Sequence, residues 1–170
     1  MKFKVIWFDR KFKFVLEPSQ FPAIIERLRA TPPALEELIA NVPSDTMINK
    51  TDEKWSIQEN VGHLIAVERL TIGRIDDFLG NKERLRPADI TNKLTYDSDY
   101  NSRPIDEILS EFRIMRSEAV SKFDALSEED AELTALHPRL EQPMRLIDHA
   151  YFIAEHDAHH LAVIKTLLGS

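Results

Sequence analysis

The run from Ser56 to Gly80 constrains this chain more than any other stretch. Ser56 is followed three residues later by Glu59, a pairing in which each side chain can accept the other residue's backbone N–H at a helix start. Ile57, Val61, Leu64, Ile65, Ile72, Ile75 and Leu79 then recur at helical spacing, and Gly80-Asn81 supplies a stop. A long amphipathic helix must bury its apolar stripe against other helices, and three more segments repeat the pattern. The first begins after Ser19 with Pro22 in its first turn and carries Ile24, Ile25 and Leu28. Pro32-Pro33 disfavours helical geometry at Thr31, so a break or kink is expected before the helix resumes through Leu35, Leu38 and Ile39 to about Asn41. The third runs from near Ser102 to about Leu126, and the last is opened by Pro143 and ends at Gly169. With only four glycines and no internal repeat, the expectation is an all-α four-helix bundle of antiparallel type, one domain over residues 1–170.

The connections carry further expectations. Residues 1–18 place Phe3, Val5, Trp7, Phe12, Phe14 and Leu16 in partial alternation, which suits an extended N-terminal arm laid across the domain, or a short hairpin turning near Asp9-Arg10. Residues 42–54 read as a connection, and 81–102 as a long irregular loop of the kind that covers a site. Ser127-Glu128-Glu129-Asp130 can start one short turn, and His137-Pro138 reads as a solvated loop.

Composition removes several function classes. There are 29 acidic against 22 basic residues, net −7, whereas a nucleic-acid binder shows a basic face. The absence of cysteine excludes disulfides, thiolate metal sites and a cysteine nucleophile. No apolar run reaches the ~20 residues of a membrane span, and Asp9, Arg10 and Lys11 cut short the apolar start, so no signal peptide is read. The expected partner is a small-molecule substrate rather than a nucleic acid or a membrane, in a cytoplasmic protein.

Chemistry concentrates in the last helix, at Glu155-His156-Asp157-Ala158-His159-His160. His156 and His160, four apart, lie on one face and can converge on one metal ion. A helical wheel puts His160 inside the border of the apolar face, His156 at its edge and His159 almost opposite, toward water. His149 is one heptad before His156, too far along the axis to share an ion, and reads as structural. On the second helix His63 flanks the core face and is the best third ligand. An ion held by His63, His156 and His160 would sit in the groove between these two helices, with a position open for water or substrate. Two acids fall where core residues belong, Asp157 and Glu68. A buried carboxylate needs a partner, and the Trp55 indole, a tyrosine, an arginine or a ligand histidine N–H would each serve. Asp157, Glu68 and Glu59 are therefore candidates for orienting ligands or moving protons, although capping alone explains Glu59. A lone buried histidine is ordinarily a hydrogen-bonded core residue; the three histidines and two acids together favour a metal.

With Trp55-Ser56-Ile57-Gln58-Glu59-Asn60-Val61-Gly62-His63-Leu64, the His156-Asp157-Ala158-His159-His160-Leu161 stretch and the Phe21…Arg27-Leu28 to Leu35 segment, nearly the whole chain resembles the DinB/YfiT-like family. The resemblance implies a four-helix bundle of up-down-down-up connectivity, often a homodimer, with the metal triad on His63, His156 and His160. It implies nickel, zinc, iron or manganese as the divalent ion, and for some members a low-molecular-weight thiol cosubstrate (bacillithiol, mycothiol or glutathione) in S-transfer or isomerisation. Val163 stands where the family commonly has Gln, so any role of that Gln is not carried over. The expected function is a metal-dependent enzyme, foremost a thiol-dependent S-transferase. The alternatives are a metal-dependent hydrolase that activates water and a non-catalytic metal-binding or dimerising helical module.

Overall fold

The computed structural model describes residues 6–52 and 54–169. Its frame is four long helices: α1 (Phe21–Ile39), α3 (Ile57–Leu79), α5 (Ile105–Asp124) and α7 (Leu146–Leu167). Short helices α2 (Ser44–Met47), α4 (Lys93–Asp97) and α6 (Glu128–Ala131) lie in the connections. A hairpin of β1 (Thr134–His137) and β2 (Gln142–Arg145) leads into α7. Among the described residues no helix is long and apolar enough to cross a membrane.

Two apolar clusters give the direction of each helix. One gathers Ile24 and Leu28 of α1, Ile75 and Phe78 of α3, Val120 and Phe123 of α5, and Leu146 and Ala150 of α7. The other gathers Leu35 and Ile39, Val61 and Leu64, Ile108 and Phe112, and Ile164. So α1 and α7 run from the first cluster to the second while α3 and α5 run back. The order is up-down-down-up, with α3 beside α5 and α1 beside α7 as parallel neighbours. A purely antiparallel bundle is thereby corrected. Parallel succession of α3 and α5 requires the chain to return the length of the bundle, which is why the 81–102 segment is long. It is also less irregular than its composition suggests, since it contains α4 and a 3₁₀ turn at Tyr100–Ser102.

That crossover docks on α3 through a close approach. A Cβ on Gly62 would run into the ring of Tyr100, which is 3% exposed. Gly62→Ala is expected to cost about 1–3 kcal/mol by overpacking, read as a lowered urea midpoint at unchanged slope.

Between the two apolar clusters lies one polar layer, with a residue from each long helix. Arg116 of α5, 2% exposed, donates from Nη1 to Asp157 Oδ2 at 2.7 Å and from Nη2 to Asp157 Oδ1 at 3.0 Å and Glu68 Oε1 at 2.6 Å. Thr31 of α1 donates to Asp157 Oδ2 at 2.7 Å. The arginine also explains why α1 does not break at Pro32-Pro33. Pro32 has no N–H for the carbonyl of Leu28, and Arg116 Nη1 supplies that carbonyl with a donor at 2.8 Å instead. The expected break is absent: α1 continues through both prolines, and a residue from another helix supplies the donor that Pro32 lacks.

Other boundaries shift modestly. The capping box at Ser56 forms as read, with Glu59 N–H to Ser56 Oγ at 3.0 Å and Ser56 N–H to Glu59 Oε2 at 2.8 Å, and Ser127 caps α6 in the same way. The left-handed residue after α3 is Asn81 (φ 52°) rather than Gly80. Pro143 does not open the last helix: it pairs with Leu136 on β2, an edge strand that tolerates the missing N–H, and α7 starts at Leu146. The arm extends across the first cluster with Trp7, Phe12, Phe14 and Leu16 packed on it, and it reverses in a 3₁₀ turn at Trp7–Asp9 rather than a hairpin. Phe3 and Val5 lie outside the described residues.

Candidate metal centre

Helical geometry on α3 and α7, which lie antiparallel side by side, brings His63, His156 and His160 together. One ring nitrogen from each lies within 4.8 Å of the others, the only such group of three or more histidine or acidic side chains among the described residues. The Nε2 atoms of His156 and His160 are 3.2 Å apart. Two nitrogens bound at ~2.0–2.1 Å to one tetrahedral ion stand about 3.3 Å apart, so the pair already has the spacing of shared ligands.

Hydrogen bonds set the ring orientations. Asn60, one turn before His63, donates from Nδ2 to the carbonyls of Ser56 at 2.8 Å and Trp55 at 3.3 Å. Its Oδ1 must then face the other way, where it accepts from His160 Nδ1 at 2.9 Å. That bond places the His160 proton on Nδ1 and leaves the Nε2 lone pair for an ion. His63 Nδ1 lies 3.1 Å from Thr95 Oγ1, and with Nδ1 as the donor in that bond Nε2 is left for an ion. Thr95 belongs to α4, so the crossover supplies part of the site. His156 Nδ1 is buried and has no hydrogen-bond partner among the described residues. Burial pushes the His63 imidazolium down to about 4 and holds those of His156 and His160 well below the ordinary histidine range. All three rings are therefore neutral at pH 7, the state a metal ligand needs. Three neutral imidazoles with their lone pairs converging fit a divalent ion.

The other predicted residues fall elsewhere. Asp157 and Glu68 are both committed to Arg116 in the interior layer, so of the partners expected for them the arginine is the one found. Glu59 stays at the helix start, where its second oxygen pairs with Lys50 at 2.8 Å. His159 keeps part of its surface toward water and is partly covered by the N-terminal arm, its ring 5.7 Å from Trp7 and 5.3 Å from His160. His137 is not solvated either. The hairpin turns it inward, 2% exposed, with Nε2 at 3.2 Å from Arg74 Nη1. His149 is fully buried on α7, with neither ring nitrogen hydrogen-bonded among the described residues. Asn60 and Thr95 are site residues that spacing and periodicity do not single out. Asn60 offered a weak signal, an amide on the buried side of α3 one turn from a histidine; Thr95 offered none.

The histidines open into a cavity of about 980 Å³, walled by Trp55, Trp7, Tyr96, Phe152 and Val163 among others. Trp55 lies over His63 with ring centroids 4.6 Å apart, and Trp7 meets His156 edge-on at 5.0 Å. The crossover contributes residues from Pro87 to Tyr96 to the same wall, so it lines the site as its length suggested.

A family model, the DinB superfamily, matches residues 27–164. The chain belongs to the DinB superfamily. Among solved structures, YfiT from Bacillus subtilis superposes with a TM-score of 0.81 at 18% identity, over 93% of this chain and 91% of that one. YfiT is described as a probable metal-dependent hydrolase with an unusual four-helix bundle topology. A Streptococcus pneumoniae protein superposes with a TM-score of 0.58 at 15% identity, over 92% and 93% of the two chains. At these identities the likeness is one of fold. No curated protein matches the chain.

Within this DinB superfamily chain, Asn60 is the side chain that orients His160. Asn60→Leu leaves the His160 Nδ1 proton without an acceptor and is expected to weaken divalent-metal affinity about 10–100-fold, measured by competition against a chromophoric chelator.

Proposed function

We propose that the protein is a divalent-metal-dependent enzyme that activates a small-molecule nucleophile, foremost a low-molecular-weight thiol in an S-transfer reaction. The observation that carries the reading is a set of three histidine ligands without a fourth histidine or acidic ligand among the described residues, facing a large cavity. A structural zinc site is ordinarily closed by four protein ligands, whereas three leave a coordination position for chemistry. When bound, the ion supplies Lewis acidity that ionises a coordinated thiol or water near neutral pH.

The chain's own residues do the rest. His63, His156 and His160 hold the ion, with nickel, zinc, iron and manganese all compatible with imidazole ligands. Asn60 and Thr95 fix ring orientation, and Trp55 and Trp7 exclude water from two sides. Asp157 and Glu68 act in this reading only through the Arg116 layer that ties α3 and α7 together, and Glu59 only through the cap that sets the start of α3. In the transfer the thiol loses its proton to solvent, sulfur bonds to an electrophilic carbon, and the leaving group departs with the electron pair. A cavity of about 980 Å³ is at the upper end of the ~300–1,000 Å³ usual for small-molecule sites, which leaves room for thiol and acceptor side by side.

A second reading is hydrolysis with water as the nucleophile, favoured by the description of YfiT. The test is turnover of generic electrophiles with glutathione, bacillithiol and mycothiol, and of activated esters without thiol, by metal-loaded wild type and His160→Ala. Thiol consumption lost in the variant supports transfer. Ester cleavage alone moves the assignment to hydrolysis, and neither activity leaves a non-catalytic binding module.

A further inference from the structure

The same cavity has a second chemical pole that the metal reading does not use. Arg74, 2% exposed, and Arg139, part buried, both line it, as does His137. On α3 the stripe His63, Val67, Leu70, Arg74 runs along one wall, so the two poles are about 16 Å apart in helix rise at ~1.5 Å per residue. The aromatic ring of Phe152 bridges them, 5.3 Å from His137 on one side and 5.1 Å from Trp7 on the other.

What distinguishes this pole is a surplus of donors. Among the described residues no carboxylate pairs with Arg74 or Arg139; the nearby Asp77 is taken by Arg86, with Nη2–Oδ1 at 2.8 Å. Arg139 Nη2 is buried without a partner. His137 Nδ1 accepts the backbone N–H groups of Arg139 at 3.3 Å and Leu140 at 3.1 Å, so its proton is on Nε2. That N–H faces Arg74 Nη1, another donor, at 3.2 Å. Burial, together with repulsion from Arg139 and Arg86 against the pull of Asp77, brings the Arg74 guanidinium down to about 10. Buried donors without acceptors are costly, and two uncompensated guanidiniums more so. One anionic oxygen group placed among them would accept from all three side chains and offset both charges.

We propose that Arg74, Arg139 and His137 form an anion subsite that takes the carboxylate or phosphoryl group of an elongated small molecule. Its apolar middle lies along Val67, Leu70 and Phe152, and its reacting end reaches the three histidines. The approach of the reacting end to the histidines rests on the metal-centre reading; the anion subsite itself does not. In a chain of net charge −7 this places positive potential inside the cavity and selects anionic ligands there.

The test measures binding of hexanoate, hexyl phosphate and 1-hexanol to metal-free protein by calorimetry at low salt, for wild type, R139M, R74K and H160A, each checked for folding by its melting curve. Among the described residues the Arg139 side chain makes one long hydrogen bond, at 3.5 Å to the Phe8 carbonyl, and Met can keep its packing on Phe8 and Phe152, so R139M keeps the frame. At least one anion is expected to bind wild type and H160A roughly tenfold or more tighter than hexanol, a preference of ~1.4 kcal/mol. R139M and R74K should reduce that preference to about threefold or less. The stronger of the two anions identifies the group as carboxylate or phosphoryl. Equal binding of anions and hexanol to wild type, or an undiminished preference in both arginine variants, overturns the subsite. Loss of the preference in H160A also overturns it, because the anion is then held at the histidines. Since no metal is present, failure of the metal-centre reading leaves the arginine result standing.

Discussion

Arg116→Met is expected to destabilise the fold by about 3–5 kcal/mol, because it strands Asp157 and Glu68 as uncompensated buried carboxylates. For a chain of this length that lowers Tm by roughly 6–20 °C in a thermal melt. The loss reaches beyond the ion pairs. The Leu28 carbonyl, freed by Pro32, loses the donor that Arg116 supplies, and the guanidinium leaves the Phe112 ring it covers at 5.0 Å. The two acids are not equivalent. Asp157 uses both oxygens on Arg116 and accepts from Thr31, whereas Glu68 uses one and its Oε2 has no partner among the described residues. Asp157→Asn should therefore cost more than Glu68→Gln. Burial, opposed by Arg116 and assisted by Asp157, raises the Glu68 carboxyl above the ordinary glutamate range. A raised carboxyl favours folding while protonated, and that contribution is lost as pH climbs above the unfolded value of about 4.3. Glu68→Gln should accordingly gain on wild type as the melt is moved from pH 4 toward pH 7. A Glu68→Gln difference independent of pH would contradict this placement of the charge.

The second large effect concerns the histidines. Single replacement of His156 or His160 by Ala is expected to reduce divalent-metal binding from on the order of one ion per chain to background, a loss above the ~100-fold limit typical of residues that merely orient a ligand. His63→Ala should do the same from the opposite helix. The two α7 rings hold the 3.2 Å pair, and His63 completes a set that neither helix provides alone. Equilibrium dialysis followed by elemental analysis reads the stoichiometry. A variant that keeps full occupancy would remove its histidine from the site.

Much of this was legible in the sequence because it is local. The Ser56 cap, the stop after Leu79 and the i, i+4 histidine pair depend on residues within one or two turns, where helical geometry fixes proximity. The wheel also found Asp157 and Glu68 on buried faces. It could not name Arg116, which sits among Phe112, Met115 and Val120 with nothing local to mark it as a partner of acids 48 and 41 positions away. The same long-range contact overrode the Pro32-Pro33 signal. His137, and His159 in part, depart from the expected solvent exposure for a related reason. A four-residue strand pairing turned one inward, and the N-terminal arm covered the other; neither event leaves a periodic trace. The direction of the helices came from resemblance rather than pattern, since periodicity says which face is buried but not which neighbour covers it.

The measurement that most directly tests the metal centre is zinc-edge X-ray absorption on protein loaded with one equivalent of zinc. Three imidazole nitrogens at ~2.0–2.1 Å plus a non-protein light-atom ligand is the predicted coordination in wild type, whereas zinc added to His160→Ala should give the spectrum of the unbound ion. Two or fewer imidazoles in wild type, or a shell closed by four protein ligands, would contradict it.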